Sequence, residues 1–195
     1  DPVYNVNWYN VLKYCNAKSV MEGLDPVYYV SGAVYKTGEF GACGSGKITW
    51  DQTKNGYRVP TVLEWEYAAR GGASATIPNY TYSGSNTLND VATNDANSGI
   101  NPTCTLIGSK GTSPVGTRDS NELGLYDMSG NVMEWNWDAR IAGPDQGCPE
   151  GTKAGRFFSG GNFKFGTLTV NGHGSFQPSQ FGGYLGFRVV RSVFP

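Results

Sequence analysis

The first pattern along the chain is an apolar stripe close to its start. Four apolar residues recur at the i, i+3, i+4, i+7 spacing of one helix face, namely Trp8, Val11, Leu12 and Cys15. Such spacing predicts an amphipathic helix, which we extend to about Ala17. The side chain of Asn5 or Asn7 can cap its first turn. This stretch is therefore expected to pack one face against the rest of the fold.

A second helix is predicted over residues 62–70, directly after a strong start signal. Thr61 and Glu64 have the spacing of a capping box, in which each side chain accepts a hydrogen bond from the other residue's backbone N–H. Gly71 and Gly72 follow, and glycine commonly ends a helix in a left-handed turn. The sequence therefore predicts both ends of this short helix.

The remaining apolar residues fall in short β-prone runs. Each run is bounded by Gly, Pro, Asn or Ser, as antiparallel strands joined by turns would be. The runs are 27–30, 47–50, 156–158 and 186–191. Between Gly72 and Ser120 the chain is rich in Asn, Ser, Thr and Gly but keeps spaced apolar anchors, which indicates an ordered loop. A single domain over residues 1–195 accommodates all of these elements.

The charge of the chain excludes several partner classes. Fifteen basic and 16 acidic residues give a net charge of -1, so neither nucleic acid nor an anionic membrane is a predicted partner. No apolar run approaches the roughly 18 residues of a membrane span, and the first residues lack signal-peptide features. Direct membrane insertion of this domain is not expected. Any export signal or lipid anchor would belong to an upstream segment.

Metal-binding patterns are weak in this sequence. The chain has a single histidine and four cysteines without a close pair, so a zinc site is not predicted. The cysteines are Cys15, Cys43, Cys104 and Cys148. Their even number permits disulfides, and the pairing stays open.

Four segments, taken in order, resemble the formylglycine-generating (sulfatase-modifying factor) family. They are 6–9 with 14–16 (VNWY, YCN), 57–61 with 69–72 (YRVPT, ARGG), 124–135 (GLYDMSGNVMEW), and 159–162 with 185–191 (SGGN, LGFRVVR). The resemblance implies an α+β, C-type-lectin-like fold with two helices, a small twisted antiparallel sheet and long loops. Five charged or aromatic side chains in these motifs are expected to lock helix to sheet. They are Arg58, Glu64, Trp65, Trp135 and Arg188.

The same resemblance indicates which residues catalysis would require. Members that oxidise a sulfatase cysteine are expected to hold copper with two cysteines five apart, and the matching positions here are Gly166 and Asn171. Neither residue supplies a thiolate. The iron-dependent sulfoxide synthases of this fold are expected to need several histidines, and this chain has only His173. We therefore predict a protein that is not an enzyme and requires no cofactor.

A structural calcium ion is the one cofactor that the family implies here. Its expected ligands are two carboxylates and two backbone carbonyls, at Asp127, Gly130, Val132 and Glu134. Oxygen ligands of this kind suit a hard cation. The alternative is that Asp127 and Glu134 cap turns and pair with arginines.

The C-terminal segment has an unusual composition. Residues 155–188 contain most of the phenylalanines of the chain and many glycines, but only three charged side chains. Rigid aromatics among small residues suit a recognition surface. We expect Phe157, Phe158, Phe163 and Phe187 to be buried, because they flank the family motifs. Residues 165–184 keep neither a strand nor a helix period, which indicates an irregular ligand-binding segment containing Phe165, Phe176, Phe181 and Tyr184.

The position of this segment, just before the Leu-Gly-Phe-Arg motif, resembles that of the hypervariable segment in the variable proteins of diversity-generating retroelements, including spirochaete members. In that group, adenine mutagenesis of Asn codons yields Phe, Tyr, Ser, Gly, Thr, His and Leu but not Lys or Gln. The resemblance implies that Lys164, Gln177 and Gln180 belong to a fixed frame. The positions expected to vary and to bind ligand are Phe165, Gly166, Thr167, His173, Gly174, Ser175, Phe176, Ser179, Phe181, Gly182 and Tyr184.

We therefore predict a non-catalytic receptor, exported and displayed at the cell surface. Its hypervariable segment, about 163–185, would bind a protein or other macromolecule, with a monomer as the favoured state. One alternative is a formylglycine-generating enzyme relative or accessory protein. A second is a carbohydrate-binding lectin, although Gln177-Pro178-Ser179 lacks the acid of the usual calcium-dependent sugar motif.

Overall fold

The computed structural model describes residues 1–41, 44–73, 78–99, 111–141 and 153–193. Three α-helices are present in these ranges, α1 (Trp8–Met21), α2 (Val62–Ala69) and α3 (Leu88–Val91), together with a short 3₁₀ helix, Ser45–Lys47. None of these helices is long and apolar enough to cross a membrane. Cys15 is a free, buried thiol, whereas Cys43, Cys104 and Cys148 lie outside the described residues.

Helix α1 begins where the apolar pattern predicts. The Asn7 side chain caps it by accepting a hydrogen bond from the backbone N–H of Asn10 at 2.8 Å, so Asn7 rather than Asn5 is the cap. The predicted end at Ala17 is wrong, because the helix continues to Met21. The first residue that stops it is Gly23, whose φ of 70° is left-handed.

Helix α2 confirms its predicted signals. The hydroxyl of Thr61 accepts a hydrogen bond from the Glu64 N–H, and the Glu64 carboxylate accepts one from the Thr61 N–H. Gly71 and Gly72 follow with φ values of 79° and 97°. The short helix α3, inside the predicted loop of 72–120, was not predicted.

Eleven short strands form four small sheets in the described residues. The strands are β1 (Tyr28–Val30), β2 (Ala33–Val34), β3 (Ile48–Trp50), β4 (Tyr57–Arg58), β5 (Ala92–Thr93), β6 (Ser129–Gly130), β7 (Met133–Ile141), β8 (Lys153–Ser159), β9 (His173–Phe176), β10 (Leu185–Gly186) and β11 (Val190–Arg191). The largest sheet has the order β10-β7-β8-β9, and the others are β2-β1-β3, β11-β4 and β5-β6.

Three strand predictions need correction. The run 186–191 is split between β10 and β11, which join different sheets. Two pairings, β10 with β7 and β5 with β6, are parallel rather than antiparallel. Residues 173–176, predicted to be irregular, form strand β9 because their backbone pairs antiparallel with β8 from Arg156 to Ser159.

The main core packs α1 against the sheets through large aromatic side chains. Trp8, Tyr9, Tyr28 and Trp135 are fully buried in it. Arg156 of β8 lies in the same core with its guanidinium 3.9 Å from the centre of the Trp8 ring, and it donates to the carbonyls of Trp137 and Ser45. Sequence reasoning missed this role, since a lone arginine before Phe157-Phe158 gives no local signal of burial.

The buried thiol and phenol groups of this core lead us to expect that alkaline pH destabilises the protein. Burial raises the pKa of the Cys15 thiol to about 12 and that of Tyr9 to about 12. The folded state therefore keeps protons that the unfolded state releases, and stability falls as pH rises above about 9, the ordinary pKa of a thiol. Burial also lowers the pKa of Arg156 to about 10. This shift makes stability rise with pH, but only above about pH 10.

The measurement is the melting temperature between pH 8 and pH 10. We expect it to fall for the wild type, and the fall to be shallower for Cys15→Ala, which removes the first group to titrate. Cys15→Ser is the matched variant, because a hydroxyl does not titrate in this range. Equal slopes for all three proteins would show that the thiol does not contribute.

Candidate functional site

A buried ion pair joins three of the family motifs. The Glu134 carboxylate, only 5% exposed, accepts hydrogen bonds from Trp65 Nε1 at 2.7 Å and from Arg188 Nε and Nη2 at 2.8 and 2.9 Å. These contacts connect α2, β7 and the segment after β10. Trp65 and Arg188 therefore serve the structural role predicted for them, and Glu134 makes the arginine pair that is the alternative to its predicted calcium role.

The other predicted locking residues make similar contacts. Arg58 reaches both Glu64 oxygens at 2.7 Å, so the Glu64 that caps α2 also ties that helix to β4. The Trp135 indole N–H donates to the Val6 carbonyl at 3.1 Å, which fixes the chain just before α1. The structural interpretation of these side chains is confirmed.

The predicted calcium loop is held by hydrogen bonds within the protein. Asp127 accepts hydrogen bonds from the Gly116 N–H at 2.8 Å and from the Asn131 side-chain amide at 3.4 Å. Arg188 donates to both oxygens of the Glu134 carboxylate, the atoms that would otherwise bind the cation. A calcium ion fits this side-chain arrangement poorly. The arrangement matches the alternative, in which Asp127 secures a turn and Glu134 pairs with an arginine.

The expected carbonyl ligands lie in buried backbone on either side of Asn131. Gly130, with a φ of 84°, approaches the Thr93 carbonyl so closely that a Cβ would lie 2.2 Å from its oxygen. Val132 is 5% exposed and precedes β7. This close packing explains why position 130 requires glycine without invoking a metal.

Gly166 and Asn171, the positions matched by resemblance to the expected copper-binding cysteines, lie in the exposed turns before β9. Beside them is a shallow pocket of about 160 Å³. Four predicted binding residues line it: Gly166, Thr167, His173 and Gly174. The His173 ring lies against Phe157, and its Nδ1 is 3.1 Å from the Asn171 carbonyl oxygen. No lining residue of this pocket carries a carboxylate or a thiol.

An exposed aromatic group lies in the same segment. Phe165 is 45% exposed and Phe181 is 52% exposed, while Tyr184 meets Phe165 edge to face at 4.7 Å between ring centres. The buried Asn162 accepts hydrogen bonds from the backbone N–H groups of Lys164 and Phe165 at 2.7 and 2.9 Å. A fixed motif residue thus presents Phe165 to solvent.

Phe176 does not project freely into solvent as expected of a ligand-binding residue in an irregular segment. It is half-buried on β9, stacks on Phe158 with 4.6 Å between ring centres, and packs against the main core. Its strand pairing with β8 gives it this environment. Tyr184 also packs partly on the core. Phe163 is buried, whereas Phe157, Phe158 and Phe187, also predicted to be buried, are half-buried.

Two of the predicted variable glycines are tightly constrained. A Cβ on Gly174 would lie 2.5 Å from the Phe158 ring, and Gly166 has a left-handed φ of 102°. The eleven predicted positions therefore differ in their freedom. Phe165, Thr167, His173 and Phe181 are exposed, and Ser175, Ser179, Gly182 and Tyr184 are half-buried.

Sequence and structure comparisons place the chain among known proteins. A family model described as "Sulfatase-modifying factor enzyme 1-like domain" matches residues 1–193. A curated relative from Paenibacillus barcinonensis, "Chaperone protein LppX", is 39% identical over 98% of this chain and 70% of its own length. The "Formylglycine-generating enzyme" of Mycobacterium tuberculosis is 43% identical over 41% of this chain and 26% of that enzyme.

Two solved structures share the fold over nearly the whole chain. The crystal structure of CarF has a TM-score of 0.79 at 28% identity, covering 99% of this chain and 68% of CarF. Treponema denticola variable protein 1 has a TM-score of 0.73 at 30% identity, covering 96% of this chain and 70% of that protein. These matches confirm the predicted α+β, C-type-lectin-like fold and the resemblance to a variable protein.

Because Glu134 is paired with Arg188, we expect calcium to have little effect on stability. We expect millimolar calcium to change the melting temperature by less than about 2 °C, which in a protein of this length corresponds to under roughly 1 kcal/mol. The measurement is thermal unfolding with calcium and with chelator. A calcium-dependent rise of several degrees that disappears in Asp127→Asn would instead establish the predicted site.

The different burial of two phenylalanines predicts different costs of removing them. Phe176→Ala should lower the free energy of unfolding by about 2 kcal/mol, less than the 3–5 kcal/mol of a fully buried phenylalanine. Phe181→Ala should change it by less than about 0.5 kcal/mol. Urea unfolding measures both. Equal losses would contradict the assignment of Phe176 to the frame and Phe181 to the exposed face.

Proposed function

We propose that this chain, which belongs to the formylglycine-generating (sulfatase-modifying factor) family, is a ligand-binding member of the family without catalytic activity. One observation carries the proposal. Gly166 and Asn171 stand where the catalytic members are expected to hold copper with two cysteines, and the same C-terminal segment exposes Phe165 and Phe181. The segment thus offers contact area but no thiolate.

The proposed ligand is a protein or another macromolecule. The site is an exposed aromatic group beside a pocket of about 160 Å³, which is below the 300–1,000 Å³ typical of small-molecule sites. Exposed aromatics are the usual anchors of macromolecular interfaces. Within residues 163–185 the only charged side chain is Lys164, so recognition would rest on shape and apolar contact.

We further propose that the segment is diversified by a retroelement in an exported protein displayed at the cell surface. Likeness to Treponema denticola variable protein 1 supports this proposal. The exposure of Phe165, Thr167, His173 and Phe181 supports it too, because changes there leave the core intact. We propose that this receptor is a monomer.

An accessory role is a second candidate, favoured by likeness to a protein named as a chaperone. A chaperone-like member would use the same aromatic surface for a client protein. The lectin alternative has less support. The Pro178 carbonyl of its candidate motif accepts a hydrogen bond from the Trp8 N–H at 3.0 Å, so this turn fastens the segment to α1.

The test compares two double variants as baits on a surface extract of the source cells. Phe165→Ala with Phe181→Ala should lose any ligand that the wild type retains, with little change in melting temperature. The matched control is Leu63→Ala with Tyr67→Ala, which removes two exposed apolar side chains from α2 and should keep the ligand.

Two results would contradict the proposal. The first is retention of the ligand by the Phe165/Phe181 variant. The second is copper-dependent oxidation of a sulfatase cysteine peptide by the wild-type protein.

A further inference from the structure

A second cavity, of about 320 Å³, lies outside the C-terminal segment, between α1 and the edge strand β2. One wall is a face of α1 at helical spacing: Lys13, Asn16, Ala17 and Val20. The opposite wall is Val34, Tyr35 and Lys36. The volume is at the lower end of the range of small-molecule sites.

The interior of this cavity is apolar in its chemistry. Asn16 has all of its hydrogen-bonding capacity engaged, donating to the Tyr28 and Tyr35 carbonyls and accepting from the Val27 and Tyr28 N–H groups. The Tyr35 hydroxyl donates to the Gly38 carbonyl at 2.6 Å. Ala17, Val20 and Val34 supply only hydrocarbon.

Two ammonium groups, without a lining carboxylate, give the cavity its charge. Lys36 forms no ion pair or hydrogen bond within the described ranges. Lys13 is held weakly, with its Nζ 3.5 Å from the Gly38 carbonyl oxygen and 3.7 Å from Glu39 Oε1. That carboxylate oxygen also accepts from Asn7 and Asn10 at 3.0 and 3.2 Å. Both lysines can therefore turn toward an anion at the cavity.

We propose that this cavity binds a small organic anion with an apolar body, of the medium-chain carboxylate class. The carboxylate would contact Lys36 and Lys13, and the hydrocarbon would lie against Ala17, Val20 and Val34. Charge complementarity supports this ligand class, because a cavity with apolar walls and only positive lining charges favours a ligand with one anionic end.

The experiment is isothermal titration of the protein with sodium octanoate, with 1-octanol as the uncharged comparison. We expect octanoate to bind and octanol to bind at least about fivefold more weakly, because removing the charge loses its pairing with the ammonium groups. Lys36→Gln should weaken octanoate binding by a similar factor. Ala17→Leu, which adds hydrocarbon at an exposed helix position, should occupy part of the cavity and weaken binding by a similar factor.

Lys54→Gln is the matched control. It removes the same charge from a lysine that lies near Asp25 instead of at the cavity, and it should bind octanoate like the wild type. Circular dichroism establishes that each variant is folded. Absence of octanoate binding, equal binding of octanol, or an octanoate affinity that is unchanged in either Lys36→Gln or Ala17→Leu would overturn the proposal.

Discussion

The Glu134 carboxylate joins the two parts of the core. Its partner Trp65 belongs to the cluster formed by α2 and Met128, whereas its neighbours on β7, Met133 and Trp135, belong to the main cluster around α1. A buried carboxylate is tolerated only when it is paired, and removing one partner of such a pair typically costs about 3–5 kcal/mol. The position of α2 relative to the central sheet therefore depends on this group, and so does the chain that leaves β10 through Arg188.

A second buried charge, Arg156, sets the position of the sheet edge that carries the candidate site. Its guanidinium stacks on Trp8 and donates to two carbonyls, which fixes β8 against α1. Strand β9 then pairs with β8 and begins at the exposed His173, and the chain before it presents Thr167. A rigid frame beneath exposed side chains is the usual arrangement of binding sites on loops. The frame is built from buried charges and aromatics; within the C-terminal segment Phe176 packs against it, whereas Phe165 and Phe181 are exposed.

The sequence predicts local features of this fold better than distant pairings. The start of α1 and both ends of α2 follow from caps and glycines that act within a few residues. Strand β9 could not be predicted, because His-Gly-Ser-Phe shows no alternation and Gly174 is required by the Phe158 ring of another strand. The parallel pairing of β10 with β7 likewise depends on contacts about fifty residues apart in the sequence. For the site, low charge and irregular spacing predicted the exposure of Phe165 and Phe181 but misplaced Phe176.

The same frame limits which positions a diversifying mechanism could use. A codon that mutates freely is useful only where the fold accepts the new side chain, and the fold is marginally stable. A Cβ on Gly174 would collide with the Phe158 ring, and Gly166 would be strained by any other residue. By contrast, a Cβ added to Gly183 would meet no heavy atom within 4 Å. If the segment varies as we propose, selection for folding would keep Gly166 and Gly174 and concentrate lasting variation on the exposed positions around Phe165 and Phe181.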